Sequence, residues 1–549
     1  MVQKIISKSQ KLFSQKSNSI LSAAAIIGMS FLLSAVLGLL RNRLLASRFF
    51  GGQEGLLDVY FAAFVIPDTV FQLLVVGALS ASFIPFFQES LQKSKDDANS
   101  LVQSVLSVVF LTISAFSIAI FIFALPLSNL ITHFTGEQLQ IMANLIRIMS
   151  LAQIIFAFSS VFTGVLQSEK RFLVPAIAPI LYNLGTIIGV YFLSDRYGIY
   201  SAGIGVIVGS LMHALVQLPS VLQSGIKPKI ILHHFHPNLP QMLKLMPTRS
   251  LALSLDQIQR WVSVNLNSLL LPGSLSMYTF ARQLYILPVT LFGVSLSQAT
   301  FPALSKDALL SDKEVFKKTL TKSLMQIFFF AFPSAVLILV LRIPLVRIAF
   351  GSRSFPWEAT LNTGLALAIL SVSIPALAAI HTLTRALHAL KDTKSPLLSG
   401  LFSVVLYAVL ANISVKKLGL GIVGVSLSLS ISNLLDFCIT YLLLSKKIGS
   451  LNIYFKTVKI MFVTMLTGVS LWVPMRLLDT FVFDTTRAIP LLILTTIVTF
   501  VGFSVYLFFC YLMKVEELSE VVAIIKKLGN WRKILASSDE VIDGSSSNT

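Results

Sequence analysis

The stretch ILSAAAIIGMSFLLSAVLGLLRNRLLASRFF, residues 20–50, decides the fold class of this chain. Its first twenty residues carry no charged side chain, and about that many residues are needed for a helix to cross a hydrocarbon core of about 30 Å. Similar apolar runs recur along most of the 549 residues, and charged residues make up only 12% of the chain. Long runs of this kind predict membrane-spanning helices, because the strands of a membrane barrel are short and alternate in polarity.

Polar breaks between the apolar runs divide the chain into fourteen predicted spans. They cover residues 20–48, 57–87, 100–125, 140–167, 174–194, 201–223, 241–270, 274–303, 318–341, 360–388, 396–415, 420–444, 456–477 and 488–513. We number them 1 to 14 in chain order. The predicted fold class is therefore an all-α polytopic membrane protein.

The distribution of basic residues predicts which side of the membrane each loop faces. With the N-terminus inside, the inside segments together with the adjoining ends of the spans hold 28 Lys and Arg residues, and the outside loops with their adjoining span ends hold 8. Cytoplasmic loops of membrane proteins carry such an excess. We therefore expect a multi-pass protein of the bacterial cytoplasmic membrane with both termini cytoplasmic, although Arg342, Arg347 and Arg353 on one outside loop run against the rule.

Two parts of the sequence resemble each other at a spacing of about 220 residues. In each copy a basic turn and a proline (Pro175, Pro396) open one span, and a glycine within an I/V-G-V step (Gly205, Gly424) lies near the start of the next. Six spans per copy predict two lobes related by a pseudo-two-fold axis along the membrane normal. Accidental similarity of glycine-rich apolar sequence is the alternative.

This repeat predicts the domain organisation. We expect a cytoplasmic segment (1–19), an N-lobe (20–225), a cytoplasmic inter-lobe loop (226–240), a C-lobe (241–445), two extra helices (446–513), and an amphipathic surface helix with a disordered tail (514–549).

Sequence motifs of catalytic and cofactor sites are missing from the chain: it has no HExxH, GxxxxGK[ST], paired-Cys zinc or GxSxG pattern. The GIGVIVG stretch, residues 203–209, lacks dinucleotide-binding spacing, and close helix packing explains it better. The net charge of +19 is scattered between apolar runs, which argues against a nucleic-acid partner. We expect a monomeric transporter without a cofactor or a metal rather than an enzyme, with membrane lipids as its surroundings.

Ionisable residues inside spans are the functional candidates, because each is costly in a bilayer unless it faces a cavity or a partner. Span 7 places Arg249, Asp256 and Arg260 on one helical face, at spacings of 7 and 4 residues. Such a stripe could line a cavity that binds an anion, or it could serve only to stabilise the interior of the bundle.

Other polar side chains suggest a cation site. Asp256 of span 7, Asn412 of span 11 and Asp436 of span 12 offer oxygen ligands for a monovalent coupling cation. Ordinary hydrogen bonding between helices explains the same three residues equally well.

The three arginines after the opening apolar run lie on two faces of span 1. Arg41 and Arg48 are seven residues apart and share a face, whereas Arg43 is rotated by roughly 200°. A straight helix from Ile20 brings Arg41 to the outer interface. Snorkelling of these side chains and a cavity-lining role are therefore both open.

Three stretches carry a resemblance to a known family. VLGLLRNRLLASRFFG (36–51), LDVYFAAFVIPDTVFQLLVVGALSASFIPFF (57–87) and ARQLYILPVTLFGVSLSQATFPALSK (281–306) resemble the MurJ (MviN) family of the multidrug/oligosaccharidyl-lipid/polysaccharide (MOP) exporter superfamily. The resemblance covers spans 1 to 12. It implies a two-lobed transporter that moves lipid II, the undecaprenyl-diphosphate-linked peptidoglycan precursor, to the outer leaflet by alternating access.

The family further implies that cavity arginines engage the diphosphate, that spans 13 and 14 form a groove for the lipid tail, and that a cation or the membrane potential drives the movement. Arg41 matches an important first-span arginine of the family, and Asp58 matches its aspartate at the start of span 2. The resemblance and the span 7 stripe together predict the substrate-binding residues Arg41, Arg48, Asp58, Arg249, Arg260, Arg282 and Gln283.

Several positions depart from the family pattern. Asn42 stands where the family often has Asp, and Ala35 and Phe71 stand where it has Arg. Arg282-Gln283 replaces the usual Asp-Arg. These departures motivate one alternative, a flippase for another polyprenyl-linked oligosaccharide. The others are a cation-coupled drug exporter of the same superfamily and a non-transporting scaffold.

Overall fold

The computed structural model describes residues 20–231, 235–244, 246–310, 312–481 and 487–519. The predicted cytoplasmic segment 1–19 and most of the predicted surface helix and tail, 514–549, lie outside these residues. Every regular element of the described chain is a helix, which confirms the predicted all-α class.

The first half of the chain begins with a long apolar helix, and its span 2 is divided into three shorter helices, α2 to α4. The helices of this half are α1 (Ile20–Phe49), α2 (Glu54–Ala63), α3 (Val65–Phe71), α4 (Gly77–Lys93), α5 (Lys95–Ile122), α6 (Ala124–Ile131), α7 (Gly136–Ser168), α8 (Leu173–Tyr197), α9 (Tyr200–Gln223), α10 (Leu239–Lys244) and α11 (Met246–Asn267).

The second half repeats this pattern and adds two helices at its end. Its helices are α12 (Ser274–Pro288), α13 (Ser295–Asp307), α14 (Lys313–Val340), α15 (Arg342–Phe350), α16 (Trp357–Ser371), α17 (Ile374–Ala389), α18 (Lys394–Lys416), α19 (Gly421–Ile448), α20 (Tyr454–Phe481) and α21 (Ala488–Leu512).

The described helices account for all fourteen predicted spans, but one of them is polar. Among the described residues, twelve stretches are long and apolar enough to cross a membrane, and the pair α16–α17, bent by 45°, makes a thirteenth if it counts as one span. The remaining predicted span is α11, a helix of 22 residues with the sequence MPTRSLALSLDQIQRWVSVNLN. Its many polar side chains keep it below the apolarity of the others, as expected for a helix that packs against protein and polar groups rather than lipid.

The described chain forms two compact units. The first takes the residues up to Ser276 together with Ser352–Phe355, and the second takes the rest. Helix α11 therefore belongs to the first unit, where it packs on α3 and α4. The sequence repeat had placed span 7 in the C-lobe. The compact units thus divide one helix later than the predicted repeat, whose own boundaries stay a prediction.

Two turns at equivalent positions of the repeat share an unusual backbone conformation. Lys170 after α7 and Lys391 after α17 have φ angles of 61° and 60°. In both turns the amide of the following residue donates to a helix carbonyl five residues earlier, at 2.9 Å. A left-handed residue with this bond ends a helix in a Schellman motif. The shared geometry supports the internal repeat.

The second of these turns is fixed by an ion pair. Lys447 Nζ at the end of α19 lies 2.7 Å from Asp392 Oδ2. Although burial raises the pKa of the Asp392 carboxyl, hydrogen bonds from Lys447 and Ser395 hold that pKa well below its usual range. The pair therefore stays charged and ties the loop before α18 to the end of α19.

Spans 2 and 8, which are equivalent in the repeat, each contain a π-helical segment. Gln72–Val76 separates α3 from α4, and Val289–Val294 separates α12 from α13. A proline precedes each segment, Pro67 in α3 and Pro288 at the end of α12. Such segments interrupt the regular hydrogen-bond ladder and often lie at functional sites.

Glycines allow α8 and α9 to pack backbone to backbone. A Cβ atom on Gly189 would lie 2.4 Å from the Cα of Gly205, and one on Gly185 would lie 2.5 Å from the Cα of Gly209. Real Cβ atoms do not approach other atoms so closely, and small residues at helix crossings are what permit this spacing in membranes. The structure confirms that the GIGVIVG stretch serves helix packing.

Substitution of Gly189 by Leu should therefore destabilise the first unit by roughly 1–3 kcal/mol, because the new side chain must push α9 away. Thermal unfolding of the purified protein in detergent, followed by intrinsic fluorescence, measures the effect. The control is Gly28→Leu, since no atom lies within 4 Å of a Cβ built at Gly28. Equal unfolding temperatures for the two variants would contradict the packing argument.

Candidate functional site

An ion pair within the first unit joins α3 to α11. Arg260 Nη1 lies 2.9 Å from Asp68 Oδ2, and the two side chains are 44% and 24% exposed. Asp68 lies in span 2, within the largely apolar sequence VIPDTVFQ, residues 65–72. An acidic residue inside a span normally requires a partner, and α11 supplies it. The sequence prediction included Arg260 but missed Asp68, whose position inside an apolar run was the signal available.

Neutral side chains next to this pair hold α3 and α11 in register. The indole Nε1 of Trp261 donates to Thr69 Oγ1 at 2.8 Å. The Thr69 hydroxyl in turn lies 2.6 Å from the carbonyl of Val65 and 3.2 Å from Gln257 Oε1. Because Trp261 directly follows Arg260, these bonds fix the arginine relative to Asp68.

Arg41 enters the same part of the first unit from α1. Its guanidinium is half-buried and acts electrostatically on the hydroxyls of Tyr60 and Tyr182. The Tyr182 hydroxyl also lies within electrostatic reach of Asp68. We refer to Arg41, Asp68, Tyr182 and Arg260 as the first-unit charged site. It holds two guanidinium groups and one carboxylate.

Asn42 orients Arg41 without neutralising it. The Arg41 Nε donates to Asn42 Oδ1 at 3.1 Å, and the Asn42 side chain is buried. An aspartate at this position could accept the same hydrogen bond but would cancel the charge of the guanidinium. The departure from the family pattern therefore keeps the contact and leaves the positive charge in place.

Arg48 lies apart from the charged site, at the ends of α1 and α8. Its Nη1 is 3.0 Å from Asp195 Oδ1, and its guanidinium carbon is 5.9 Å from the centre of the Tyr191 ring. Asp195 is largely exposed. These contacts are those of an interfacial arginine, so the structure separates Arg48 from Arg41 although both share a helical face.

The Asp58 carboxylate is buried and accepts three hydrogen bonds from Gly273 and Ser276. Its Oδ2 accepts from the amide of Gly273 at 2.7 Å, and its Oδ1 accepts from the amide and the hydroxyl of Ser276 at 2.7 and 2.6 Å. These donors belong to the loop before α12 and its first turn. An acidic side chain here satisfies amides that lack helical partners. The structure thus gives Asp58 a capping role.

Two predicted residues lie in the second unit, on α12. Arg282 and Gln283 are both half-buried. Arg282 acts electrostatically on the hydroxyl of Tyr285, which accepts from Asn433 Nδ2 at 3.0 Å and lies 3.2 Å from Ser373 Oγ. Arg282 therefore stands beside a neutral network that links α12, α19 and the break between α16 and α17.

The residues predicted for a coupling cation belong to both units. Asp256 is exposed on α11 of the first unit. In the second unit, Ser414 Oγ of α18 lies 3.4 Å from Ser428 Oγ of α19, which places the exposed Asn412 near that level. Asp436 follows Ser428 by eight residues, so it lies about two helical turns, roughly 12 Å, further along α19 than Ser428. Within the described residues, no three His, Cys, Asp or Glu side chains are grouped as metal ligands.

One further predicted residue is described only in part. The side chain of Arg249 lies outside the described residues, as do His233 and His234 of the loop after α9. His236 is described and has structural partners: its Nε2 lies 3.2 Å from Asp97 Oδ1, and its Nδ1 accepts from the Asn238 amide at 3.1 Å.

An apolar cavity of about 550 Å³ lies within the second unit. Its lining includes Phe328 and Phe332 of α14, Ala376 of α17, Phe437 of α19 and Met461 of α20. The family resemblance implied a lipid-tail groove formed by spans 13 and 14. The observed cavity is lined by span 13, which is α20, together with spans 9, 10 and 12.

Comparison with known proteins places the chain in a family. A family model described as lipid II flippase MurJ matches residues 46–491. The lipid II flippase MurJ of Burkholderia cenocepacia is 28% identical over 428 residues, which are 76% of this chain and 82% of that protein. The lipid II flippase MurJ of Thermosipho africanus is 29% identical over 430 residues, 78% of this chain and 86% of that protein.

Solved structures give the same assignment. Lipid II flippase MurJ in an inward closed conformation superposes with a TM-score of 0.74 at 25% identity, covering 90% of this chain and 100% of that chain. An inward-facing multidrug resistance MATE family transporter of the MOP superfamily superposes with a TM-score of 0.64 at 15% identity, over 76% of this chain and 95% of that chain, and so shares the fold. The match over residues 46–491 shows that this chain, a multi-pass inner-membrane protein, belongs to the lipid II flippase MurJ family.

Proposed function

We propose that this chain moves lipid II from the cytoplasmic to the outer leaflet by alternating access, with both termini in the cytoplasm and no catalytic step. The family match over residues 46–491 carries the proposal, because the relatives it groups with are named as lipid II flippases. The chemistry of the first-unit charged site supports it.

Arg41 and Arg260 supply the recognition of the diphosphate. A guanidinium presents parallel N–H donors that match phosphate oxygens two at a time. With Asp68 as its carboxylate, the charged site formed by Arg41, Asp68, Tyr182 and Arg260 has a surplus of positive charge. An anionic diphosphate restores the balance, and Asp68 competes with it for Arg260. That competition gives the site a way to release the head group.

The apolar cavity of the second unit accommodates part of the polyprenyl chain. Its walls are aromatic and aliphatic side chains such as Phe328, Phe437 and Met461, which offer a prenyl chain apolar surface and few polar groups. The bilayer and the cavity are both apolar, so a prenyl chain gains little hydrophobic free energy by moving from one to the other. Close packing must supply the binding free energy, and the shape of the cavity therefore matters more than its polarity.

The membrane potential or a monovalent cation supplies the drive. An interior-negative potential favours the outward movement of an anion, by about 2.3 kcal/mol for each elementary charge and each 100 mV. Asp256, Asn412 and Asp436 are the oxygen ligands available to a cation.

A flippase for another polyprenyl-linked oligosaccharide is the second candidate. It is favoured by Phe71, which stands in place of a family arginine and packs against Phe156 with ring centres 5.9 Å apart. An aromatic contact there replaces a charge that lipid II flippases often present. The diphosphate would be common to both substrates, so only the oligosaccharide distinguishes them.

Growth of bacterial cells depleted of their own lipid II flippase tests the proposal directly. Expression of this chain should restore growth, and Arg41→Ala should abolish the rescue because the diphosphate loses its principal donor. Arg48→Ala is the matched control: Arg48 is bound to Asp195, and we expect full rescue. Failure of the unaltered, membrane-inserted chain would rule out lipid II as the substrate, and full rescue by Arg41→Ala would rule out its diphosphate contact.

The competition between Asp68 and substrate for Arg260 predicts opposite effects of two neutral substitutions. Arg260→Gln should weaken binding of a short-chain lipid II analogue by about tenfold, the range expected for loss of a charged hydrogen bond. Asp68→Asn should strengthen binding, because the Asp68 carboxylate then no longer competes with the diphosphate for Arg260. Binding to purified protein in detergent measures both. Equal weakening by the two substitutions would show that the ion pair is structural.

Filling the apolar cavity should distinguish the contribution of the lipid tail from that of the head group. Ala376→Trp is expected to slow flipping of lipid II with a long prenyl chain by roughly tenfold, while binding of a short-chain analogue stays unchanged. The control is Leu442→Trp, since Leu442 is 58% exposed on α19. Vesicle-based flipping assays with the two chain lengths measure the difference, and an unchanged rate for the long chain would remove the cavity from the substrate path.

A further inference from the structure

One hydrogen bond fastens the last described span of the second unit to span 9. The hydroxyl of Tyr506 on α21 donates to the backbone carbonyl of Phe329 on α14 at 2.8 Å. Both side chains are completely buried, and their ring centres lie 5.3 Å apart. A buried tyrosine hydroxyl needs an acceptor, but a carbonyl in the interior of a helix normally accepts from its own helix.

The Phe329 carbonyl is available because its helical donor is missing. The residue four positions later is Pro333, which is buried within α14 and has no amide hydrogen. A backbone carbonyl without a donor is costly in the hydrocarbon region, and neighbouring helices are what usually replace the bond that a proline removes. The hydroxyl of Tyr506 is this replacement.

Two glycines bring α20 and α21 close to the same stretch of span 9. A Cβ atom on Gly468 of α20 would lie 2.7 Å from Val336 Cγ1, and one on Gly502 of α21 would lie 3.1 Å from Leu337 Cδ2. Val336 and Leu337 are the third and fourth residues after Pro333. The two helices outside the repeat therefore hold span 9 at the point where its hydrogen-bond ladder is interrupted.

The same stretch of α14 forms a wall of the apolar cavity in the second unit. Side chains on both sides of Pro333 line the cavity, namely Phe328, Phe332, Ala335, Val336 and Leu339. Among the described residues that line it, none belongs to α21. Span 14 thus acts on the cavity through its hold on α14.

A second wall of the cavity also contains a proline. Pro375 of α17 cannot donate to the carbonyl of Ser371, and Ser371, Val372 and Pro375 all line the cavity. The cavity therefore lies between helices whose own hydrogen bonds are interrupted at its walls. Because such helices are held in place by their neighbours, the width of the cavity depends on bonds such as that of Tyr506.

We propose that Tyr506 is a positioning residue for the lipid tail: its hydrogen bond to span 9 holds the cavity wall in the shape that accepts a long prenyl chain. The bond itself does not depend on the transport function, whereas its effect on the tail rests on the proposed function. Without the hydroxyl, α14 has to shift around Pro333 until the Phe329 carbonyl finds another donor, and the wall shifts with it.

A double-mutant cycle tests the bond. Tyr506→Phe keeps the ring but removes the donor, so the purified protein should unfold at a lower temperature in detergent. Pro333→Ala supplies an amide hydrogen for the Phe329 carbonyl, and in this background Tyr506→Phe should have little further effect. Equal lowering of the unfolding temperature in both backgrounds overturns the proposal, because the hydroxyl then does not replace the missing donor.

Flipping of lipid II with long and short prenyl chains tests the effect on the tail. Tyr506→Phe should slow flipping of the long chain by about fivefold, as expected for loss of one hydrogen bond, and leave the short chain unchanged. The variant Pro333→Ala/Tyr506→Phe should flip the long chain at the rate of Pro333→Ala alone. The matched control is Tyr511→Phe, since Tyr511 is 73% exposed on the same helix. Equal slowing of both chain lengths indicates general destabilisation and overturns the positioning role.

These outcomes separate the positioning role from the proposed function. If the unaltered chain flips no lipid II, the proposed function fails and the effect on the tail fails with it, while the unfolding cycle still decides whether Tyr506 replaces the missing donor. If the unaltered chain flips lipid II and Tyr506→Phe flips the long chain equally fast, the function stands and the positioning role is overturned.

Discussion

A guanidinium group inside a bilayer must be met by a carboxylate, a polar side chain or water, and the first unit is organised around this constraint. Arg48 meets an exposed carboxylate at the end of α8. Arg260 meets a carboxylate within span 2. Arg41 donates a hydrogen bond to the neutral amide oxygen of Asn42, and this bond orients its charge without cancelling it. The three arginines thus have three different partners: an exposed carboxylate, a carboxylate within a span, and a neutral amide.

Much of the fold follows from local sequence. Apolar runs of sufficient length predict the spans, and the glycines of residues 203–209 predict a close helix crossing. The importance of Arg41 comes from its position in a family-like stretch. In each case the physical signal is contained in a few neighbouring residues, and the described structure contains the expected helices and the expected crossing.

The features of the site that could not be predicted from the sequence depend on contacts between residues far apart in the chain. Asp68 is one acidic residue in an apolar run, and its meaning appears only when α11, some 190 residues later, delivers Arg260. Asp58 matches a family position, yet its acceptor bonds go to backbone amides beyond residue 270. Spacing along a single helix also grouped Arg41 with Arg48. It could not show that α8 ends beside Arg48 and supplies Asp195 as its partner.

The polarity of α11 has a consequence for the biogenesis of the protein. A helix this polar gains little from entering lipid alone, so the insertion machinery cannot retain it by hydrophobicity. Its bonds from Trp261 and Arg260 go to α3, which is synthesised much earlier. We therefore expect the stable insertion of α11 to depend on α3, whose Thr69 and Asp68 offer it polar partners within the membrane.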